Sequence, residues 1–221
     1  MNEFMEFFSN SDPSNVSTSV KMFLLLTVLS LAPSILILMT CFTRIVIVLG
    51  FVRTSLATQQ MPPNQVIIGL SLFLTFFVMA PTFQEVNDVA LTPLFEEKID
   101  LEEAYEQAAL PFKEFMSAHT RQKDLALFLD YAQMDRPESI EDIPLTALVP
   151  AFAISEIKTA FQIGFMIFIP FLVIDMIVAS VLMSMGMMML PPVMISLPFK
   201  ILLFVLVDGW YLVVKSLLQS F

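Results

Sequence analysis

The chain has 221 residues, of which 57% are hydrophobic and only 14% are charged. About a quarter of the residues of an ordinary soluble domain carry charge, so this composition excludes such a domain and places the chain in or against a membrane. A single Cys and a single His exclude an internal disulfide and any metal site built from several cysteines.

The net charge of −10 is confined to one segment of the chain. Between Glu85 and Asp142 there are 15 acidic and 5 basic residues, and the rest of the chain has equal numbers of each. The acidic segment offers no basic surface for nucleic acid, so we expect no nucleic-acid partner. The sequence therefore predicts four parts: a polar tail (1–21), a first apolar helical hairpin (22–83), an acidic helical domain (84–148) and a second apolar hairpin (149–221).

The first hairpin begins with an uncharged run over residues 22–43. At ~1.5 Å per residue this run can cross a hydrocarbon layer of ~30 Å as a helix, with a kink at Pro33. The residues before the run lack the basic cluster that opens a signal peptide, so we expect the N-terminus to be retained.

The second helix of this hairpin is predicted over residues 65–80, because the Met-Pro-Pro-Asn motif at 61–64 is typical of a turn. Arg44 and Arg53 are interpreted as marking a first, cytoplasmic turn. That orientation makes the acidic domain non-cytoplasmic. Within this domain, residues 101–110 and 112–132 are rich in helix-forming residues and predict two helices separated by Pro111.

The second hairpin contains a predicted helix over 151–182 and another over 195–218. Pro191 and Pro192 break the chain between them, after a Met-rich turn. The predicted fold class is therefore all-α and membrane-protein-like, with four long apolar helices in two hairpins and a small acidic helical insert.

Charged side chains lie inside the predicted helices of the second hairpin, where each would cost roughly 2.5–3.5 kcal/mol at the centre of a bilayer. We therefore expect them to make contacts between helices or between subunits; they are Glu156, Lys158, Asp175, Lys200 and Asp208. Glu156 and Lys200 are predicted to pair. Straight antiparallel helices would leave the two ~27 Å apart, which favours a pair between adjacent subunits over one within a subunit.

Methionine accounts for six of the twelve residues from 183 to 194. Consecutive Met side chains point all round a helix, so an ordinary packed core, the alternative interpretation, explains only part of the cluster. Unbranched thioether side chains are deformable. They suit a seal that closes completely when the channel is empty and also fits around a polypeptide. We predict a pore gasket made of Met183, Met185, Met187, Met188 and Met189.

Motifs for catalysis are absent from the sequence. The five glycines are too widely spaced to form a phosphate-binding loop. His119 has no second His with which to share a metal, and Cys41 lies in an apolar run, so a surface residue and a packed hydrophobe are expected. We expect no enzyme activity, no cofactor and no metal.

Four segments carry a resemblance to a known family. They are Thr-Cys-Phe-Thr-Arg-Ile-Val-Ile-Val-Leu at 40–49, Thr-Gln-Gln-Met-Pro-Pro-Asn-Gln at 58–65, Pro-Ala-Phe-Ala-Ile-Ser-Glu-Ile-Lys-Thr-Ala-Phe-Gln-Ile-Gly-Phe at 150–165 and Pro-Phe-Lys-Ile-Leu-Leu-Phe-Val-Leu-Val-Asp-Gly-Trp at 198–210. The sequence resembles the FliP proteins of the bacterial flagellar export apparatus, whose injectisome relatives are called SctR.

The resemblance implies a core subunit of the type III export gate in the bacterial cell membrane and the flagellar basal body. Family members form a ring of five copies that joins FliQ and FliR, and the assembled channel passes exported flagellar polypeptides. The alternative from a different class is a small secondary transporter or proton-conducting protein that uses Glu156, Asp175 and Asp208 as a relay. Four helices without a visible repeat argue against that alternative.

Overall fold

The computed structural model describes residues 22–23, 26–27, 30–31, 34, 37–58, 60–187 and 190–221. Contacts divide the chain into two compact units, Met1–Leu38 and Met39–Phe221. The described part of the second unit consists of α1 (Phe42–Ser55), α2 (Asn64–Val86), a π-helical segment (Asn87–Leu91), α3 (Thr92–Phe95), α4 (Leu101–His119), α5 (Gln122–Tyr131), α6 (Leu145–Ser184), α7 (Pro192–Leu206) and α8 (Gly209–Leu218).

In the first unit, the described residues are helical and exposed. The predicted kink at Pro33 and the polar tail lie outside the described residues. The predicted continuous helix over 22–43 is wrong at its end, because residues 39–41 form a turn and a new helix begins at Phe42.

Helix α1 is the centre of the second unit and packs against both α2 and α6. Its buried residues recur at helical spacing, with Ile45, Val48 and Val52 at most 1% exposed, so one face of the helix forms the core. The predicted first turn between Arg44 and Arg53 is therefore wrong, since both lie in α1. An arginine in an apolar stretch therefore does not have to mark a loop.

Helix α2 starts at Asn64, within one residue of the prediction, but runs well beyond Ala80. It continues through the π-helical segment and α3, so the helical stretch Asn64–Phe95 extends over 32 residues. The helix tolerates Pro81 and the polar residues after it, which the prediction took as the start of the acidic domain. The acidic segment thus begins inside an apolar helix.

The acidic segment folds into α4 and α5, which both pack on α6. Asp100 caps α4 by accepting a hydrogen bond from the backbone N–H of Glu103 at 2.8 Å, as an N-cap carboxylate does. The predicted break at Pro111 is wrong, because α4 passes through Pro111 and ends at His119. The chain breaks instead at Thr120 and Arg121, whose backbones are extended.

Helix α6 has 40 residues and joins the acidic segment to the Met-rich turn. It begins at Leu145, six residues before the predicted start at Ala151. The predicted helix over 195–218 is two helices, because Asp208 adopts a left-handed backbone (φ 50°). Helices α7 and α8 consequently meet at a 63° bend.

Two helical stretches are long and apolar enough to cross a membrane: Asn64–Phe95 and Leu145–Ser184. The bent pair α7 and α8 would count as a third if it forms one span. Four long apolar helices were predicted, but the described residues contain two helices of that kind, or three if the bent pair forms one span. The predicted all-helical class is confirmed for the described chain, which contains helices, turns and bends but no strand.

Close packing of α1 on α6 depends on Gly164. A Cβ atom at this position would lie 2.5 Å from Cγ and Cδ2 of Phe51 and 3.0 Å from its Cβ. The contact includes the base of the Phe51 side chain, so rotation of the ring alone cannot relieve it.

We therefore expect Gly164→Ala to destabilise the chain by about 1–3 kcal/mol through overpacking. Gly50 on α1 is the matched control, because a Cβ there meets nothing within 4 Å. Gly50→Ala should be neutral or stabilising by up to about 1 kcal/mol, since Gly disfavours a helix interior. Thermal unfolding of the purified chain in detergent measures both, and equal effects of the two substitutions would contradict the packing argument.

Candidate functional site: buried charges between the apolar helices

A buried ion pair joins α1 to α6. Arg44 donates from Nε to Oε2 of Glu156 at 2.9 Å, and its Nη2 bonds the other carboxylate oxygen, Oε1. The two side chains are 3% and 0% exposed. This two-point geometry satisfies both carboxylate oxygens, which is what a charge removed from water requires.

Arg44 also holds the last residues of the chain. Its Nη1 donates to the backbone carbonyl of Ser220 at 2.6 Å and contacts the Ser220 hydroxyl at 3.1 Å. The guanidinium carbon lies 3.9 Å from the centre of the Phe221 ring, a cation–π contact. The Phe221 ring in turn faces His119 at 5.6 Å. One arginine therefore connects α1, α6 and the segment after α8.

His119 is not the solvated surface residue that was expected. Its Nδ1 lies 2.8 Å from the carbonyl oxygen of Phe115, and its ring packs 4.7 Å from the Phe115 ring. Cys41 is fully buried in the core, as expected of a small packed hydrophobe. Among the described residues, no group of three His, Cys, Asp or Glu side chains could hold a metal ion.

A second ion pair joins α6 to α7. The ammonium of Lys200 donates to Oδ2 of Asp175 at 2.7 Å, and Ser196 donates its hydroxyl to Oδ1. Lys200 is 2% exposed and Asp175 25%. Lys200 also donates to the carbonyl oxygen of Ser55 at 3.2 Å, at the C-terminal end of α1. This bond satisfies a carbonyl that the helix leaves unpaired and places a positive charge at the negative end of the helix dipole.

The predicted pair between Glu156 and Lys200 is not formed within the chain. Glu156 bonds Arg44, which lies 112 positions away, and Lys200 bonds Asp175, which lies 25 positions away across the Met-rich turn. Each charge is therefore neutralised by another residue of the same chain. The pair between neighbouring subunits was inferred from the offset of the two residues along their helices, and both residues already have partners within the chain.

The other predicted charges lie outside the core. Lys158 is exposed on α6. Asp208 is exposed at the bend between α7 and α8 and has no ion pair with a described residue. These two residues therefore differ from Glu156, Asp175 and Lys200, which all form ion pairs between helices.

The Met-rich turn lies at the end of α6. Met183, Met185 and Met187 have 45–60% of their surface exposed, so they are not packed into the core of the single chain. Met188 and Met189 lie outside the described residues. Met185 also lines a wholly apolar cavity of about 500 Å³ between α6 and α7. The exposed thioether groups are available for contact with another protein chain or with lipid.

A third polar group was missed by the sequence analysis. Ser155 on α6 donates its hydroxyl to Oδ2 of Asp124 at 2.6 Å and accepts a bond from the backbone N–H of Arg121 at 3.1 Å. The guanidinium of Arg121 lies 2.6 Å from the same carboxylate oxygen. Burial alone raises the pKa of Asp124, but the Ser155 bond and the Arg121 charge outweigh it and lower that pKa below its ordinary value. The network fixes the start of α5 on α6.

Sequence comparison relates the chain to flagellar proteins. The FliP family model matches residues 25–217. Flagellar biosynthetic protein FliP of Bacillus subtilis (strain 168) is 80% identical over 221 residues, which cover all of both chains. The proteins of the same name from Caulobacter vibrioides and Aquifex aeolicus are 57% and 51% identical over 89% and 94% of this chain, and over 74% and 87% of their own length.

The Arg44–Glu156 pair predicts a large effect of removing one charge. In Glu156→Gln the buried guanidinium loses its counter-charge, and we expect a loss of about 3 kcal/mol or more in the free energy of unfolding. Glu96→Gln is the matched control, because Glu96 pairs with Lys98 at side-chain exposures of 51% and 69%. That substitution should cost less than about 1 kcal/mol.

Denaturant unfolding in detergent measures both variants. Equal stability of Glu156→Gln and the wild-type chain would mean that the buried pair contributes nothing and would contradict the analysis.

Proposed function

The chain belongs to the FliP family, and on that premise we propose that it is the channel-forming core subunit of the flagellar type III protein export gate. In this role it is a structural component of the export apparatus in the bacterial cell membrane and the flagellar basal body, and not an enzyme. The observation that carries the proposal is the likeness to flagellar biosynthetic proteins over the full length of the chain.

The surface of the single chain supports assembly with further subunits. Large apolar side chains on α6 and α7 face outward, with Met166, Val205 and Leu206 at least 70% exposed. Contiguous exposed apolar surface of this kind is covered by lipid or by other protein chains. We propose that five copies form a ring, that FliQ and FliR complete it, and that exported flagellar polypeptides pass through it.

The exposed methionines support a seal in that channel. Met183, Met185 and Met187 emerge at a turn, where several subunits can bring equivalent residues together. In the proposed ring, thioether side chains from each copy close the passage. They change conformation to let a polypeptide through. Met188 and Met189 belong to the same proposed gasket by sequence. The acidic segment is proposed to lie on the non-cytoplasmic side and to take part in ring assembly.

A proton-conducting transporter is the less favoured function. The relay would need carboxylates free to take up and release protons along a watery path. Glu156 is bonded to Arg44, and Asp175 is bonded to Lys200 and Ser196. Both carboxylates are therefore held in fixed contacts between helices, and Glu156 is 0% exposed, so it does not lie on a watery path.

Complementation of a bacterium that lacks its own copy of this protein tests the proposal. The wild-type chain should restore motility and secretion of flagellar proteins, and its purified complex should have a mass that fits five copies with their partners. A chain that restores neither, or that remains a monomer in mild detergent, contradicts the proposal.

The gasket has a separate test. Replacement of Met185, Met187, Met188 and Met189 by Ala should leave assembly intact and raise the leakage of small ions through the closed complex. Met166→Ala is the control, because Met166 is 72% exposed on α6 but lies far along the helix from the turn. Loss of assembly without leakage would instead favour an ordinary packing role for the cluster.

A further inference from the structure

Two exposed lysines meet where the start of α5 packs on α6. Lys123 lies in the first turn of α5 and Lys158 lies on α6. Their side chains are close enough to interact, and the guanidinium of Arg121 interacts with Lys158 as well. We call these three residues the basic cluster. The carboxylate next to it, Asp124, is already bonded by Ser155 and Arg121, so three positive charges share one negative charge.

The two lysines of the basic cluster lack a counter-charge. Neither Lys123 nor Lys158 forms an ion pair with a described residue, whereas Lys98 of the same acidic segment pairs with Glu96. This surplus of positive charge occurs in a chain whose net charge is −10. Two neighbouring ammonium groups repel each other, and an anion that accepts hydrogen bonds from both relieves the repulsion. The basic cluster therefore has the chemistry of an anion site.

An exposed apolar face begins directly next to the basic cluster. The 16 residues that follow Lys158 on α6, residues 159–174, carry no charge. Phe161 and Phe165 are 54% and 62% exposed. They lie three and seven positions beyond Lys158, so all three side chains share one face of the helix. This face therefore presents a cation at one end and aromatic side chains along its length, which matches a ligand with an anionic head and an apolar tail.

The basic cluster also lies at the boundary between the polar and apolar parts of α6. Before Lys158, the acidic segment covers the helix: Phe152 packs with Met116 of α4, and Ser155 bonds Asp124 of α5. After Lys158, the helix is part of a stretch apolar enough to cross a membrane. When the uncharged run occupies the hydrocarbon layer, the basic cluster lies at the level of the lipid headgroups, where lysine side chains are favoured.

We propose that the basic cluster binds the phosphate group of an anionic phospholipid, whose acyl chain lies along Phe161 and Phe165. A free phosphate carries the same charge but has no apolar part, so it leaves the two exposed rings uncovered. The bound lipid attaches the acidic segment to an anionic membrane surface that would otherwise repel it. Because a single chain contains the whole site, the inference goes beyond the proposed function and does not depend on the ring.

Lipid titration of the purified full chain in detergent tests the site, with native mass measurement of the lipid-bound fraction. The wild-type chain should bind phosphatidylglycerol, which is anionic, more tightly than zwitterionic phosphatidylcholine. Lys123→Gln with Lys158→Gln should weaken the binding of phosphatidylglycerol by about tenfold or more and leave that of phosphatidylcholine unchanged. The matched control is Lys98→Gln with Arg136→Gln, which removes the same charge from exposed positions of the acidic segment outside the basic cluster. It should change the affinity by about twofold or less.

Two further measurements separate a lipid from other anions. Lys123→Arg with Lys158→Arg keeps both charges and should retain the preference for phosphatidylglycerol, and millimolar inorganic phosphate should not displace the bound lipid. Equal binding of the two lipids by the wild-type chain, or a control pair as damaging as the test pair, overturns the proposal. Displacement by inorganic phosphate assigns the basic cluster to a free anion and overturns it too. A chain that remains a monomer but shows the lipid preference supports this inference while it contradicts the proposed ring.

Discussion

The buried guanidinium of Arg44 sets the constraint on which the rest of the structure depends. It lies in an apolar core, so it must find acceptors for its N–H groups and a counter-charge. Glu156 supplies the charge, and Ser220 and Phe221 complete the surroundings. Satisfying one side chain thereby brings together α1, α6 and the end of the chain, three parts that are far apart in sequence. Lys200 repeats the principle when it joins α7 to Asp175 and to the carbonyl end of α1.

These internal pairs leave an apolar exterior. Because Glu156, Asp175 and Lys200 are paired inside the chain, the outward faces of α6 and α7 consist largely of aliphatic, aromatic and thioether side chains. Such faces suit packing against lipid or neighbouring subunits. The acidic segment has the opposite character, with charges exposed along α4 and α5. The chain therefore separates an apolar surface from a charged one, which is compatible with the proposed ring in a membrane.

Local patterns were sufficient to predict much of the helical structure. The proline turn before Asn64 and the break at Pro191 were placed correctly, because proline restricts the backbone whatever surrounds it. The break at Asp208 was missed, although Asp-Gly at 208–209 is a local turn signal. The partner of Glu156 was missed for a different reason. Arg44 is 112 positions away, and no local pattern reports such a contact, although an arginine inside an apolar helix was a usable signal.

The most direct test of the central role of Arg44 is a double-mutant cycle with Arg44→Met and Glu156→Leu, measured as free energies of unfolding in detergent. Each single substitution leaves one buried charge alone and should cost about 3–5 kcal/mol, whereas the double variant replaces the pair by apolar groups and should recover most of that loss. A double variant whose loss equals the sum of the two single losses would contradict the account, because the two residues would then act independently.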